Sequence, residues 1–374
     1  MYNNLLEEKE WLDDLWKRIE NKLAKTSRRI GVCIPHISKN GKYDDWGGND
    51  IAWWTNGFWP GILWLMYTET KDEFYRQTAE CIEQMLDKAL TSYDGLHHDV
   101  GFMWSLSSVA NYKITGNEHS RQRAMLAAST LASRYNVNGG YIRAWNGDNA
   151  GWGIIDCMMN LPILYWASEQ VKDKRFAAIA MRHADKAMKD FIRPDGSVNH
   201  IVIFDQDTGE VLETPEGQGY ESGSSWSRGQ AWAIYGFMLS YIYTKKQEYL
   251  DIAKRVSHYF IANICDDYIP LCDFRTPAEP VKKDSTAGAI AACGLIEIAK
   301  YVGEFEVELY MGAAFKILKA LDEKCGCWEE DEEALLKHGM IAYHNDLGQV
   351  PIIYGDYFFI EAILKLRGKY EVFW

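Results

Sequence analysis

Apolar and polar positions divide the chain into two kinds of predicted helix that alternate along it. In the first kind, apolar residues recur at three- and four-residue steps among charged ones, which predicts a helix with one buried and one solvated face. These segments are 5–23, 71–90, 118–135, 173–192, 248–264 and 305–323. The second kind is nearly free of charge, which predicts helices buried on all sides. These segments are 57–67, 101–114, 153–168, 229–243, 286–301 and 353–366.

The alternation of six charged and six uncharged helices predicts an all-α fold built as an (α/α)6 barrel. Each kind recurs at intervals of roughly 45 to 75 residues, and an inner ring of six helices wrapped by an outer ring of six buries the uncharged set. A two-domain helical bundle would also use such helices. Because no Ser/Gly tract, Pro-rich spacer or long charge run resembles a linker, we expect a single domain spanning residues 1–374.

Two further patterns concern the loops. Residues 197–215 carry short apolar runs on both sides of Asp-Thr-Gly, a hairpin-like turn, and this predicts a small β element. Each uncharged helix follows a loop rich in Gly, Asp, Asn, Trp or Ser. In a double ring these entrances gather at one end, so we expect a cleft there.

Composition narrows the classes of function. The chain has 40 basic and 53 acidic residues and a formal net charge of −13, so it lacks the basic footprint of proteins that bind nucleic acid or anionic membranes. Aromatic residues make up 14% of the chain. Core packing accounts for most of them, but aromatic faces also suit sugar rings.

The termini, cysteines and uncharged stretches predict a cytoplasmic protein. The first residues, MYNNLLEEKEWLDD, are acidic where a secretory signal is basic and then apolar. The longest uncharged stretch, 229–244, falls short of the roughly 18 to 20 apolar residues of a membrane helix. The eight cysteines are scattered without zinc-site spacing, so we expect reduced thiols and neither a metal nor an organic cofactor.

Asp156 is the first candidate catalytic residue. It stands in GWGIIDCMMNLP, within a predicted buried helix, with no basic residue from Ala144 to Gln170. Burial raises the pKa of a carboxyl group, and a general acid near neutral pH needs such a shift. The alternative is a structural aspartate that caps a helix or bonds to a neighbouring helix end.

Asp99 is the second candidate. It follows His97 and His98 at the start of a predicted inner helix, where an aspartate that simply caps the helix is equally expected. The two histidines place titratable groups beside this carboxylate and leave a metal site as a minor alternative, without supporting spacing elsewhere. Paired carboxylates on separate helices are the usual equipment for cleaving glycosidic bonds.

A third cluster lies in GQGYESGSSWSRGQAW, residues 217–232. It combines Gln218, Trp226, Arg228 and Trp232 in a Gly- and Ser-rich entrance. A planar guanidinium matches a carboxylate bidentately, so Arg228 is a candidate for binding an acidic ligand. The alternative for Arg228 is an outward ion pair with Glu221 or Glu216.

Together these segments resemble the unsaturated glucuronyl hydrolases of glycoside hydrolase family 88 and, more distantly, the unsaturated rhamnogalacturonyl hydrolases of family 105. The likeness covers about residues 53 to 366 in consistent order, through WWTNGFWPGILW, HHDVGFMW, IRAW, IIDCMMNLPILYWA, VNH, SSWSRGQAWAIYGF, KDSTAGAIAACGL and YGDYFFIEAIL. It implies an (α/α)6 barrel that hydrates the C4=C5 double bond of the unsaturated uronic acid on lyase-generated glycosaminoglycan disaccharides.

The resemblance also implies roles for individual residues. Asp156 matches the general acid/base and Asp99 the second active-site aspartate, which holds ring hydroxyls. The expected substrate-binding residues are Phe58, His98, Trp145, His200, Gln218, Trp226, Arg228 and Trp232. Of these, His200 and Gln218 would lie near the attacking water or the uronate, the four aromatic residues would stack on the substrate, and Arg228 would bind the carboxylate or the neighbouring sugar.

Three other functions stay open at this level. The enzyme could act on unsaturated pectic disaccharides ending in rhamnose, it could be a sugar epimerase using His97, His98 and His200, or the chain could be a non-catalytic carbohydrate-binding protein. Residues 338–355 carry no cation except histidines and lack the Ser- and Lys-bearing pattern of relatives that read sulfate. We therefore expect weak dependence on sulfation.

Overall fold

The computed structural model describes residues 2–92, 94–370 and 373–374, with side chains from residue 8 onward. In chain order the α-helices are α1 (Tyr2–Ile30), α2 (Trp46–Asn49), α3 (Phe58–Thr70), α4 (Glu73–Ser92), α5 (Val100–Trp104), α6 (Ala110–Thr115), α7 (Glu118–Ser133), α8 (Pro162–Val171), α9 (Arg175–Asp190), α10 (Ser227–Thr244), α11 (Gln247–Asn263), α12 (Ser285–Ala299), α13 (Glu304–Ala320) and α14 (Ile353–Leu366).

The predicted double ring is confirmed. The inner ring runs α3, α5 with α6, α8, α10, α12 and α14, and it closes where α14 packs against α3. The outer ring consists of α1, α4, α7, α9, α11 and α13, and each outer helix packs on an inner one. Helix α12 is buried along its whole length, whereas α9 buries a stripe at three- and four-residue spacing that includes Phe176, Ala180, Ala184 and Ala187. The uncharged and amphipathic patterns therefore correspond to the two rings.

Two inner segments differ from the simple helices that the pattern predicts. Between α5 and α6, residues Ser105–Val109 form a π-helical segment that continues the same rod. The predicted helix 153–168 begins differently: residues up to Ile154 form a strand, Ile155–Met159 form a 3₁₀ helix, and α8 starts only at Pro162. Asp156 therefore lies on a 3₁₀ turn ahead of α8 and not inside a regular buried helix.

Nine short strands complete the described structure. They are β1 (Ser38–Lys39), β2 (Lys42–Tyr43), β3 (Tyr135–Asn136), β4 (Tyr141–Ile142), β5 (Trp152–Ile154), β6 (Ile201–Phe204), β7 (Val211–Glu213), β8 (Gly339–Met340) and β9 (Gln349–Val350). Strands β6 and β7 pair antiparallel around the Asp-Thr-Gly turn, which confirms the predicted β element, and β5 adds a third antiparallel strand. None of the described helices combines the length and apolar character needed to cross a bilayer.

Candidate active site

A cavity of about 440 Å³ lies where the inner helices begin. Its described lining is His36, Trp53, Trp54, His97, His98, Asp99, Trp145, Asn146, Ile154, Asp156, Gln218, Arg228, Ile341 and Tyr354. The N-terminal ends of several helices meet here, and their free backbone N–H groups produce a positive potential that favours a negatively charged ligand. The cavity can thus attract an anion although the whole chain is acidic.

Pairing between β5 and β6 places Asp156 beside His200. The register aligns Ile154 with Ile201, and the next hydrogen bond runs from the Ile155 N–H to the His200 carbonyl at 3.0 Å. Asp156 follows directly, where the chain turns into the 3₁₀ helix. The three-stranded sheet is therefore the element that brings these two side chains together.

The Asp156 and His200 side chains face each other at the cavity edge. The Gln218 backbone N–H donates to His200 Nδ1 at 2.9 Å, so the ring proton of His200 is on Nε2. This Nε2 lies 3.5 Å from Asp156 Oδ1. Both atoms are buried and lack a hydrogen-bond partner among the described residues. The alternative of a capping or helix-bonded Asp156 therefore fails for this oxygen, which is available to a ligand.

Asp99 occupies the N-cap position of α5, but its side chain does not cap the helix. Instead, Asn160 Nδ2 donates to Asp99 Oδ1 at 2.9 Å, and Asn160 Oδ1 accepts the Phe102 N–H. The other carboxyl oxygen lies 3.3 Å from both His97 Nδ1 and His98 Nε2. The carboxyl group is thus held toward the cavity by side chains from two inner elements.

Electrostatics separates the titratable groups around Asp99. Burial, and next the neighbouring charge of Asp156, raise the pKa of Asp99 to about 8. Burial lowers the pKa of His97 to about 4 and that of His98 well below its usual value. At neutral pH both imidazoles are therefore uncharged, and the Asp99 carboxyl group retains its proton. This raised pKa of Asp99 was not anticipated from the sequence.

Among the residues that the structure describes, His97, His98 and Asp99 are the set arranged to hold a metal ion. Their ligand atoms, on His97, His98 and Asp99, lie within 4.8 Å of one another. A metal-bound histidine usually donates its second ring N–H to an acceptor, but His98 Nδ1 is buried without any described partner. The donor set therefore lacks the support that a resident metal site normally has.

Arg228 is buried and held from the inside. Its Nη1 donates to Asp284 Oδ2 at 2.8 Å and to the Met340 carbonyl, and Nη2 donates to the Ile341 carbonyl at 2.7 Å. Its guanidinium also lies over the Trp226 ring, 4.6 Å from the centroid. The alternative of an outward ion pair with Glu221 or Glu216 is therefore wrong. Arg228 lines the cavity, but these contacts already use most of its donors.

Trp145 and Gln218 line the cavity. Ala144, just before Trp145, donates its N–H to the Trp152 carbonyl at 2.8 Å, and its carbonyl accepts the His98 N–H at 3.2 Å. These two hydrogen bonds fix the segment that carries Trp145 to β5 and to the loop before α5. Gln218 donates its side-chain amide to the Ile341 carbonyl at 2.8 Å. These contacts set the side walls of the cavity.

Three other expected binding residues lie behind the lining. Phe58 and Trp232 are fully buried in an aromatic cluster with Phe102 and Phe358, so they support the floor of the cavity instead of stacking on a ligand. Trp226 is buried against the His200 ring, with centroids 4.3 Å apart. Phe58 and Trp232 lie on the sides of α3 and α10 that pack into the core, and the sequence pattern of an all-apolar helix does not show which side faces the cavity.

Sequence reasoning missed several lining residues. Trp53, Trp54 and Tyr354 belong to the aromatic entrance loops, so their composition was a usable signal. His36 and Ile341 reach the cavity from loops that carried no signal in the sequence. Asp284, the partner of Arg228, caps α12 by accepting the Thr286 N–H at 3.1 Å, which is typical of Asp before a helix.

The sequence matches a known family and several known proteins. Residues 26–270 match the model of Glycosyl Hydrolase Family 88. The chain is 38% identical over 365 residues to the unsaturated glucuronyl hydrolase of Bacillus sp. (strain GL1), covering 94% of this chain and 95% of the relative. It is 34% identical over 335 residues to the unsaturated chondroitin disaccharide hydrolase of Streptococcus pyogenes serotype M1, covering 87% and 84%.

Solved structures give the same picture. The crystal structure of the Bacillus sp. GL1 unsaturated glucuronyl hydrolase, responsible for the degradation of glycosaminoglycan, matches with a TM-score of 0.91 at 36% identity, covering 96% of this chain and 97% of that one. A mutant unsaturated glucuronyl hydrolase from Streptococcus agalactiae, in complex with dGlcA-GalNAc6S, matches with a TM-score of 0.84 at 30% identity, covering 99% and 93%.

Proposed function

The chain belongs to Glycosyl Hydrolase Family 88, and from that premise we propose that it is an unsaturated glucuronyl hydrolase. Its substrates are lyase-generated glycosaminoglycan oligosaccharides that carry a 4,5-unsaturated uronic acid at the non-reducing end. The observation that carries the proposal is the pair of carboxyl groups, Asp99 and Asp156, in one cavity, with Asp156 Oδ1 and His200 Nε2 both unpartnered among the described residues. The named relatives hydrolyse unsaturated glucuronyl or chondroitin substrates, which favours this function over pectic hydrolysis or epimerisation.

The reaction is a hydration. Protonation of C4 turns the C4=C5 enol ether into an oxocarbenium ion at C5. Water then adds to C5 and loses a proton, which gives a hemiketal. The ring opens to a ketone at C5, and the hemiacetal left at C1 releases the next sugar as an alcohol. One water molecule is consumed, and the acid that gave the proton to C4 recovers one from the attacking water.

Asp156 is the acid/base in this scheme. Its carboxyl group is partly open to the cavity, with 15% of the side chain exposed, and His200 Nε2–H lies 3.5 Å away to hold a water or a substrate oxygen. Asp99, whose raised pKa of about 8 keeps a proton in the cavity near neutral pH, can supply that proton to the acid/base and holds ring hydroxyls. A weakly solvated site makes this proton transfer more effective than it would be in water.

The acidic sugar needs compensation in a chain of net charge −13. The N-terminal ends of the inner helices supply part of it. Arg228 adds a positive charge, but Asp284 already neutralises much of it, with Nη1 and Oδ2 2.8 Å apart. We therefore assign Arg228 a positioning role for the Ile341 wall, together with a weaker attraction for the uronate.

The number of domains and the cellular compartment belong to the same proposal. Residues from position 36 to position 354 line a single cavity, which supports one catalytic domain over the chain. All eight cysteines are free thiols, which supports action in the reducing cytoplasm.

The test follows the ultraviolet absorbance of the conjugated uronate while the purified protein acts on unsaturated chondroitin and hyaluronan disaccharides. The expected result is loss of absorbance together with release of free amino sugar. Turnover restricted to unsaturated pectic disaccharides would replace the substrate class. Binding without any loss of absorbance would overturn the proposal in favour of a carbohydrate-binding protein, and a changed sugar without release of free sugar would point to an epimerase.

A further inference from the structure

His36 is a buried imidazole in the cavity wall to which the mechanism assigns no role. Its backbone is fixed on both sides: the His36 N–H donates to Asp44 Oδ1 at 2.7 Å, and the His36 carbonyl accepts the Ile353 N–H at 3.0 Å. Its Nδ1 lies 3.3 Å from the Thr55 hydroxyl. The ring packs edgewise on Trp53, with centroids 5.5 Å apart. The side chain is therefore held in one orientation, and His36 lines the cavity.

The ring of helices places His36 opposite Asp156. Inner helices follow the order α3, α5 with α6, α8, α10, α12 and α14, so α14 is the third neighbour of α8 in either direction. Asp156 directly precedes α8, whereas His36 is bonded to Ile353, the first residue of α14, and to Thr55 ahead of α3. The two side chains therefore line opposite walls of the same cavity.

His36 is uncharged at neutral pH. Burial, and next the positive charge of Arg228, lower the pKa of the His36 ring to about 4. A neutral imidazole has one N–H and one acceptor nitrogen. When the Thr55 hydroxyl donates to Nδ1, the N–H stands on Nε2 and is available to a ligand.

The geometry of the sugar ring identifies what this N–H meets. In a pyranose, C1 lies across the ring from C4. If C4 is protonated by Asp156, the glycosidic bond at C1 and the sugar attached to it extend toward the opposite wall. The uronate carboxylate, carried on C5, stays on the Asp156 side.

We propose that His36 is a specificity-determining residue for the leaving sugar, to whose hydroxyl or amide oxygen its Nε2–H donates a hydrogen bond. Thr55 sets the tautomer, and Trp53 sets the plane of the ring. The inference rests on the proposed function, because it takes Asp156 as the group that protonates C4. It adds a residue that selects the second sugar.

The experiment compares two substrates and two variants. One substrate is the unsaturated chondroitin disaccharide, and the other is the methyl glycoside of 4,5-unsaturated glucuronic acid, which has no second sugar. His36→Phe keeps the aromatic packing and removes the N–H, whereas His36→Gln keeps an N–H donor. We expect His36→Phe to lower kcat/KM about tenfold on the disaccharide, mainly through KM, and by less than about threefold on the methyl glycoside. His36→Gln should recover most of the loss.

Several outcomes would overturn the inference. An equal loss on both substrates would mean that His36 acts on the uronate or on the fold, and no loss on either would mean that it does not contact substrate. A His36→Gln variant as poor as His36→Phe would exclude the hydrogen bond. If His36→Phe does not fold, Thr55→Val should show a smaller loss in the same direction, again confined to the disaccharide. Absence of wild-type turnover on both substrates would instead reject the proposed function itself.

Discussion

The two ends of the barrel differ in the hydrogen-bond partners of their buried carboxyl and imidazole groups. At the end with the cavity, His98 Nδ1, Asp156 Oδ1 and His200 Nε2 are buried without a partner among the described residues. At the other end, the buried Glu361 accepts hydrogen bonds from the Tyr235 hydroxyl and from Trp374 Nε1. The buried carboxyl group of Glu361 thus has two partners, whereas Asp156 Oδ1 at the cavity has none among the described residues.

A buried lysine extends this contrast at the end of the barrel opposite the cavity, which we call the closed end. Lys365 has no exposed side-chain surface and lies 2.5 Å from Glu297 and 3.5 Å from Glu361. Glu297 also pairs with Lys300 at 2.9 Å. Removing one partner of such a set leaves an uncompensated buried charge, so we expect the loss of Lys365 to destabilise the fold.

Unpartnered buried atoms cost free energy and persist where a ligand supplies the missing partner. The difference between the ends therefore identifies the catalytic end better than cavity size does. A larger surface hollow, of about 670 Å³, lies at the closed end between α1, α13 and α14. It contains no set of unpartnered titratable atoms like the one around Asp156, among the residues described.

The largest expected effect is on catalysis. Asp156→Asn keeps the shape of the side chain and removes the transferable proton, so we expect turnover to fall by about 10² to 10⁴-fold with KM near the wild-type value. Because Asp156 Oδ1 has no described partner to lose, stability should be unchanged or slightly higher. Steady-state kinetics and urea unfolding test both statements. A variant that keeps more than a tenth of the activity would show that Asp156 is not the acid/base.

The mirror experiment is made at the closed end. Lys365→Met should lower the free energy of unfolding by about 3 to 5 kcal/mol, because Glu297 and Glu361 lose their shared buried partner. Activity per folded molecule should stay within about twofold of wild type. Lys300→Met is the matched control: Lys300 binds the same Glu297 but is about half exposed, so we expect a loss below about 1 kcal/mol. Equal losses for the two variants would remove the distinction between the ends.

A smaller effect concerns pH. The pKa of Asp99 is raised to about 8 in the fold, against about 4 in the unfolded chain, so the folded state binds the extra proton between these values. This contribution to stability is present below about pH 4 and is lost as the pH rises to about 8. The free energy of unfolding of Asp99→Asn, relative to that of wild type, should therefore increase by more than about 1 kcal/mol between pH 5 and pH 8. Urea unfolding of both proteins at each pH measures it, and a constant difference would contradict the raised pKa.

The smallest expected effect is that of sulfation. Within 338–355, Ile341 and Tyr354 are the residues that reach the described cavity wall, and neither carries a charge. The fold does bring Arg228 and Lys282 to this loop. Buried Arg228 donates to the Met340 and Ile341 carbonyls, and Lys282 Nζ donates to the Tyr343 carbonyl at 2.6 Å, so both cations are engaged with the backbone. We expect rates on 6-sulfated and unsulfated unsaturated chondroitin disaccharides to agree within about threefold. A much higher rate on the sulfated substrate, abolished by Lys282→Met, would show that Lys282 reads sulfate.

Much of the fold follows from the amino-acid sequence alone. A helix that is apolar all round and a helix with one apolar stripe differ in composition, so the inner and outer rings can be told apart along the chain. The hairpin around Asp-Thr-Gly also follows from local turn chemistry. Asp99, Asp156, Trp145 and Gln218 reach the expected cavity because entrance loops of a double ring meet at one end.

Other features depend on contacts between distant segments. The three residues of β5 form a strand only because β6 lies beside them, and this pairing sets Asp156 against His200. Asp284 neutralises Arg228, and burial, with the charge of Asp156 next, raises the pKa of Asp99; no local pattern encodes either environment. Burial periodicity is a property of each helix by itself and is written in the chain. The electrostatic field at a carboxyl group is a sum over neighbouring charges and dipoles, which only the folded arrangement supplies. The position of His36 in the cavity wall likewise depends on how distant segments pack.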